Sequence, residues 1–270
     1  MKIAIQSIIN KPVSLTNEML YNLCQNKGKY VWGKGQFLGE KIWLIGRSYA
    51  ASPERRYVKN PNVSGKLQQN NPGNGTGRYF SEVGTYIVKD SRYGKLISLI
   101  GTLQSRYRFD GGQGDMNILN AAIEAVELLN EIVKDASEDY DNRYNPNLKG
   151  NVTYKNQISF CSKFLHFHCP HTVFIIDHFT KEAASRLFSL RSQKILSINR
   201  TQITSKNKKD LQSYLPKNTN SFSNVIDDYA EHCKQSYALC CYINQNFKGN
   251  NTKNIVYFPR TVDNILQSIK

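Results

Sequence analysis

The sequence lacks the features that mark membrane-spanning and disulfide-rich proteins. No stretch approaches the ~18 consecutive apolar residues of a membrane span, and the opening run MKIAIQSIINKP is too short and too interrupted for a signal peptide. None of the six cysteines forms a C-x-x-C pair, and 40% hydrophobic residues over 270 positions can build a core without disulfides. We therefore predict a soluble, cytoplasmic protein with reduced, mostly buried thiols and no membrane partner.

Acidic residues are scarce, and this scarcity points to a partner. The 21 Asp and Glu stand against 36 Lys and Arg, which gives a formal net charge of +15 and a pI near 9.5. A field of that size attracts polyanions, and Lys and Arg contacts to phosphates provide most non-specific affinity for nucleic acid. We predict double-stranded DNA as the partner. An anionic membrane surface, or a proteome rich in Lys and Asn, would also account for the charge.

Alternation of apolar and polar residues, the pattern of half-buried strands, is nearly absent outside short pieces such as residues 3–9. Helical spacing dominates instead, most clearly over 116–134, so the sequence predicts a mainly α protein. The Gly-, Asn- and Pro-rich segment 57–80 is predicted to be a long basic surface loop. The polar stretch 135–150 is predicted to be a linker, which divides the chain into helical parts 1–140 and 141–270.

The segment 158–188 is the richest in chemically useful side chains. Its pattern predicts a helix, a short apolar connection, and a second helix preceded by Asp177. Lys163 lies off the apolar stripe of the first helix, and by itself it is most simply a solvated charge. Asp177 by itself is most simply a helix N-cap. A lysine on one helix and a carboxylate that caps the next can, however, meet in one cleft.

The same segment resembles the helix-hairpin-helix DNA glycosylases, especially their 8-oxoguanine branch. That family places a nucleophilic lysine at the start of one helix and a catalytic aspartate before the next, in a motif of the type V-D-x-H-V-x-R-x-x-x-R-L. In this chain the motif is matched by IIDHFTKEAASRL, residues 175–187, so that Asp177 matches the aspartate and Lys163 matches the lysine by position. The small-small-x-Arg-Leu tail of the motif is matched by Ala183, Ala184, Arg186 and Leu187.

The chain departs from the family's pattern in two places. No glycine-rich hairpin of the L-P-G-V-G type precedes Lys163, where only Gly150 is nearby, and the connection from Lys163 to Asp177 is shorter. Segments 44–56 and 73–80 resemble a divergent bacterial branch of this fold, some members of which serve in defence against phage. The resemblance implies a glycosylase-like fold with an active-site cleft between two helical subdomains. We expect a monomer that needs no cofactor.

The resemblance also implies a reaction. A modified base is flipped out of the duplex, neutral Lys163 attacks C1′ of the deoxyribose, and the base leaves an abasic site, after which a Schiff base allows strand cleavage. Asp177 stabilises the developing positive charge or, if Lys163 is not the nucleophile, activates water. Oxidised guanine is the substrate of the nearest branch. The defence branch points instead to a bulky modified cytosine of phage DNA, such as glucosylated hydroxymethylcytosine, which we favour.

Cationic, hydrogen-bonding or aromatic side chains near the predicted cleft are candidates for contact with substrate or DNA. They are Arg47, Ser48, Tyr49, Arg78, His166, His178 and Arg186. Tyr49 is equally well explained as a core residue. Four of the five histidines crowd into 166–178, but their spacing matches no zinc pattern, so we predict no metal site. The basic run 206–209 is either a solvated face or a track for phosphates.

Two other classes of function remain open on the sequence. A non-catalytic helical module that binds nucleic acid would account for the charge by itself. A helical nuclease would need paired carboxylates to hold metal ions, and the sequence has no such motif.

Overall fold

The structure is a computed structural model that describes residue 5 and residues 14–25, 35–49, 56–59, 67–70, 77–105, 107–146, 152–154, 156–189, 196–198, 201–216, 226–246 and 259–269. Within these ranges the protein is mainly helical, which confirms the predicted class. The helices are α1 (Leu15–Gln25), α2 (Gly35–Ser48), α3 (Gly77–Lys89), α4 (Tyr93–Leu103), α5 (Asp115–Tyr144), α6 (Ile158–His168), α7 (His178–Phe188), α8 (Ser205–Gln212), α9 (Asp227–Asn246) and α10 (Pro259–Gln267). The strands are β1 (Arg56–Lys59), β2 (Leu67–Asn70), β3 (Val152–Thr153), β4 (Ser197–Ile198) and β5 (Thr201–Gln202).

The segment 57–80 is not the continuous loop that its composition predicts. β1 pairs antiparallel with β2, in a register that sets Tyr57 opposite Gln69, and on its other edge with β3, where Tyr57 lies opposite Thr153. α3 then begins at Gly77. The prediction was wrong because the composition of the segment does not show which of its residues pair as strands, either with each other or with residues 152–153.

α5 continues through the first part of the predicted linker. Its buried positions Val133, Ala136, Ser137 and Tyr140 continue at helical spacing past residue 135. Tyr79 of α3 packs edge-to-face on Tyr140 at 5.1 Å between ring centroids, and its hydroxyl lies 2.8 Å from the Ser137 hydroxyl. Residues 135–144 are therefore helix rather than linker, because one face of the segment is buried and its polar member Ser137 is hydrogen-bonded there. The division into parts 1–140 and 141–270 stays a prediction.

α5 is the central helix of the described part. α3 and α4 pack against it, and so do α6 and α9 from the second half of the chain. α7 packs against α9 and α10, so the two C-terminal helices flank the helix that Asp177 precedes. α1 and α2 pack against α6 on its other side. The helix that carries Lys163 is thus enclosed by three others.

The six cysteines are all free and buried, as predicted. None of the helices within the described ranges is long and apolar enough to cross a membrane.

Candidate active site

Lys163 lies on a helix with no solvated face over most of its length. Every residue of α6 from Phe160 to His168 is buried, including the lysine. The residue type by itself favours a solvated lysine, whereas the attack on C1′ that the resemblance implies needs a neutral amine. The side chain is buried, and α1, α2 and α5 pack against its helix. The Lys163 amine donates to the Ser159 hydroxyl, one turn earlier, at 3.4 Å. A buried amine needs such partners, because desolvation disfavours its charge.

The connection from α6 to α7 is extended and fixed by buried side chains. The carbonyls of Val173, Phe174 and Ile175 accept hydrogen bonds from the His166 Nδ1 at 2.8 Å, the Tyr229 hydroxyl at 2.9 Å and the His232 Nε2 at 2.8 Å. Three consecutive carbonyls are therefore satisfied by side chains rather than by water. This arrangement fixes the direction in which the chain arrives at Asp177.

Asp177 caps α7, as the sequence predicted. Its Oδ1 accepts from the Thr180 backbone N–H at 2.9 Å, and the Thr180 hydroxyl lies 3.0 Å from the Asp177 backbone N–H, which completes a capping box. Just before it, the Ile176 N–H donates to the Ser162 hydroxyl at 3.3 Å. Since Ser162 adjoins Lys163, this bond ties the cap to the helix that carries the lysine.

The structure brings the two predicted residues together. Lys163 Nζ lies 3.9 Å from Asp177 Oδ2, the carboxylate oxygen that does not cap the helix. Burial lowers the pKa of Lys163, and Arg260 lowers it further, while Asp177 and Asp263 act in the opposite direction. Burial prevails, so the amine gives up its proton more readily than an exposed lysine does.

Tyr49 connects this pair to the C-terminal helix. Its ring centroid lies 5.8 Å from Lys163 Nζ and 5.7 Å from the Arg260 guanidinium carbon, and its hydroxyl donates to the Asn17 carboxamide. Tyr49 also packs on Phe167 at 5.5 Å. Tyr49 is therefore half-buried against the core and also adjoins the candidate pair, and its contact with substrate or DNA stays a prediction.

The sequence analysis missed Arg260 and Asp263 of α10. Arg260 donates to Asp263 Oδ2 at 2.5 Å, and Gln267 donates to the same oxygen at 3.1 Å. Asp263 is 2% exposed, and burial raises its pKa to about 6. An Arg and an Asp three residues apart are ordinary on a helix surface, so only the packing of α10 against α7 and α9 could have identified them.

A pocket of about 420 Å³ opens between α7 and α10. It is lined by Asp177, Phe179, Glu182, Ala183, Arg186, Leu266, Gln267 and Ile269. Asp177 belongs both to this wall and to the pair with Lys163, so it joins the buried amine to the pocket. Phe179 is 74% exposed, which is unusual for so large an apolar side chain.

The predicted contact residues are divided between the site and other regions. His178 is exposed beside Asp177, and Arg186 lines the pocket 3.4 Å from Glu182. Arg47 and Ser48 are exposed at the end of α2, directly before Tyr49. Arg78 lies on α3, with its guanidinium 4.7 Å from the ring of Tyr144. Its contact is therefore with the end of α5, and it is not on a loop.

His166 is in the interior. It is fully buried, its Nδ1 donates to Val173, and its Nε2 therefore accepts from the Tyr21 hydroxyl at 2.6 Å. Burial lowers the pKa of His166 to about 3, so the ring is neutral. The side chain of His166 has no exposed surface with which to make the predicted contact with DNA. It instead holds the segment between α6 and α7 through its hydrogen bond to Val173.

The basic run 206–209 is only partly solvated. Lys208 is buried and donates to the Ser189 carbonyl at 3.0 Å, where it satisfies the C-terminal end of α7, while Lys206 and Lys209 are exposed. Across the described residues, no cluster of three or more His, Cys, Asp or Glu side chains is arranged to hold a metal ion.

Comparison with known proteins returned no relative: no protein-family model, no curated protein and no solved structure matches the chain. The resemblance to helix-hairpin-helix glycosylases therefore stays a prediction that depends on the residues of segment 158–188.

Proposed function

We propose that the protein is a DNA glycosylase that excises a modified base, with Lys163 and Asp177 at its active centre. The observation that carries the proposal is a buried amine 3.9 Å from a carboxylate oxygen that also lines a pocket. The free amine is the nucleophilic form of lysine, and burial of Lys163 increases its share by lowering the pKa. The net charge of +15 supports a polyanionic substrate.

In the proposed reaction the Lys163 nitrogen forms a bond to C1′ of the deoxyribose while the bond from C1′ to the base breaks. The electron pair of the broken bond leaves with the base, which takes a proton from solvent. The new secondary ammonium passes its proton to Asp177, whose carboxylate also stabilises the positive charge that develops on the sugar. Opening of the sugar ring then gives an iminium that borohydride reduces to a stable amine.

A second route uses water as the nucleophile. Among the described residues, the wall of the pocket includes Asp177 but not Lys163. A water in the pocket would then lose its proton to Asp177 as it attacks C1′. The bond from C1′ to the base would break with its electron pair leaving on the base, which takes a proton from solvent, while Lys163 stays paired with the carboxylate. This route releases the base without a covalent intermediate.

The proposed substrate is a base that carries a bulky substituent. A pocket of about 420 Å³ lies within the range of roughly 300–1,000 Å³ found for small-molecule sites. Glu182, Arg186 and Gln267 supply acceptors and donors in its wall, so a polar substituent such as a sugar can be bound there. We favour glucosylated hydroxymethylcytosine of phage DNA over oxidised guanine.

The test measures base release and covalent trapping on a panel of duplexes that carry modified bases, including these two. We expect release to fall roughly a hundredfold or more in Asp177→Asn, and the borohydride adduct to be lost in Lys163→Ala. Lys181→Ala, which removes an exposed lysine paired with Asp228, is the matched control and should keep both activities.

Release that persists in Lys163→Ala and disappears in Asp177→Asn would assign the chemistry to activated water. If no base is released from any duplex while salt-dependent DNA binding is retained, the proposed glycosylase activity is overturned. The protein would then be a non-catalytic module that binds nucleic acid.

A further inference from the structure

The C-terminal helix α10 carries a buried ion pair that the proposed chemistry does not use. Arg260 donates to Asp263 Oδ2 at 2.5 Å, and their side chains are 16% and 1% exposed. A buried ion pair is expensive, because the desolvation of both charges offsets most of their attraction. Well-packed apolar residues would stabilise such a helix at least as well, so the pair is unexplained by stability alone.

The pair is also incompletely satisfied. Asp263 Oδ1 and Arg260 Nε are both buried, and neither has a hydrogen-bond partner within the described part of the chain. A buried charged group that lacks a hydrogen-bond partner destabilises the folded protein by its uncompensated desolvation. Polar atoms left in this state are unusual in an interior and are typical of sites where charge has a use.

The position of the pair connects it to the candidate site. Arg260 and Lys163 both lie within 6 Å of the centroid of the Tyr49 ring. Gln267, which donates to Asp263, lines the pocket together with Asp177. α10 therefore brings one positive and one negative charge to a site that already holds one of each.

We infer that the Arg260–Asp263 pair is a positioning element of the Lys163–Asp177 site, which it adjoins through the ring of Tyr49 and through Gln267 in the pocket wall. The inference rests on the proposed function only for what the amine does afterwards. It makes α10 a part of the electrostatic surroundings of Lys163.

The electrostatic surroundings of the pair are given by the elements that pack around it. Asp263 interacts with Arg260 on its own helix, with Lys163 of α6 and with Asp177 before α7. Arg260 and Asp263 both act on Tyr21 of α1 and on Tyr49 after α2, and burial raises the pKa of both phenols, which therefore stay neutral. Arg260 and Asp263 act in opposite directions on the pKa of Lys163, as they do on the pKa values of Tyr21 and Tyr49.

The elements around the site contribute further groups that can titrate or carry charge. His166 of α6 interacts with Arg260, and His232 of α9, which packs against α10, interacts with Asp177; burial lowers the pKa of His166 to about 3 and of His232 to about 4. Both rings are therefore neutral where an amine titrates. Glu182 and Arg186 of α7 share the pocket with Gln267 and pair with each other at 3.4 Å.

The test measures the charge of Lys163 directly, without DNA. Competitive acetylation with acetic anhydride across a pH series, read out on the Lys163 peptide by mass spectrometry, gives the midpoint at which the amine loses its proton. Asp263→Asn removes a negative charge and should move the midpoint to lower pH by about one unit. Arg260→Met removes a positive charge and should move it to higher pH by a similar amount.

Two further variants complete the design. The double variant Asp263→Asn/Arg260→Met removes both charges, so its midpoint should lie close to that of the unchanged protein, and it avoids an unpaired buried charge where a single variant folds poorly. Asp139→Asn breaks an exposed ion pair with Arg143 on α5 and should leave the midpoint unchanged.

Opposite shifts in the two single variants support the inference, since a merely structural role would move both midpoints in one direction. Unchanged midpoints, or shifts in the same direction, overturn it. Opposite shifts in a protein that releases no base would overturn the proposed glycosylase and leave the electrostatic role of α10 standing.

Discussion

Asp177 divides its two carboxylate oxygens between structure and chemistry. Oδ1 accepts the Thr180 N–H and caps α7, and Oδ2 faces Lys163. A cap is commonly regarded as an alternative to a catalytic role, but here the cap fixes the oxygen that remains. Three hydrogen bonds to the backbone carbonyls of residues 173–175 also fix the segment that precedes Asp177. The direction of the carboxylate is therefore set both by the segment before it and by the helix after it.

This division gives a prediction for variants of Asp177. Asparagine keeps an oxygen that can accept from Thr180, so Asp177→Asn should cost less than about 1 kcal/mol of stability. Asp177→Ala loses the cap and should cost about 1–2 kcal/mol. Urea unfolding measures both changes.

The matched control is Thr204→Ala, which removes the capping box of α8. It should cost about as much as Asp177→Ala. Equal losses in Asp177→Asn and Asp177→Ala would mean that the cap contributes little and that the ion pair dominates.

At the scale of elements, the close approach of α2 to α3 places Tyr49 beside the site. A Cβ at Gly39 would collide with the backbone carbonyl of Phe80, which belongs to α3 and is itself buried. The two helices are thus in backbone contact, which only glycine permits. Because α2 ends one residue before Tyr49, the contact also sets where that ring lies against Lys163.

Gly39→Ala should therefore destabilise the protein by about 1–3 kcal/mol, because a backbone atom cannot move aside as a side chain can. The control is Gly101→Ala in α4, where nothing lies within 4 Å of the added methyl group. There the better helix propensity of alanine should stabilise the protein by up to about 1 kcal/mol. Thermal unfolding should thus shift in opposite directions; a neutral Gly39→Ala would contradict the close packing.

At the scale of the whole molecule, buried histidines make stability depend on pH. Burial lowers the pKa of His166 and His168 to about 3 and of His232 to about 4, against an ordinary value of 6.5. Below pH 6.5 these histidines bind protons in the unfolded chain but stay neutral in the folded chain, so the free energy of unfolding falls. Asp263 opposes this, because its pKa is raised from 3.8 to about 6 and the folded state binds its proton first.

Three histidines outweigh one carboxyl, so stability should fall as the pH drops from 6.5 towards 4. The net difference of two protons (three minus one) corresponds to at most about 2.7 kcal/mol per pH unit. Urea midpoints measured over this range test the prediction. His232→Asn should flatten the slope by about one proton, whereas a slope unchanged by that substitution would mean that other groups control acid unfolding.

The sequence by itself determined the helical class, the cap at Asp177 and the cysteine state. These follow from local rules: apolar spacing for a helix, a carboxylate that accepts the first N–H groups, and a composition sufficient for a core. The proximity of Lys163 and Asp177 was also predictable, since a short connection between two helices leaves few places for either end.

Only the tertiary structure decided the rest. The pairing of β1 with residues 152–153 joins segment 57–80 to the second half of the chain, and the burial of Lys163 depends on coverage by α1 and α2. The Arg260–Asp263 pair lies near the site although it is about 100 residues further along the chain. His166 is buried, and its ring is hydrogen-bonded to the Val173 carbonyl. Each of these outcomes is set by long-range contacts, whose partners no local pattern of residues encodes.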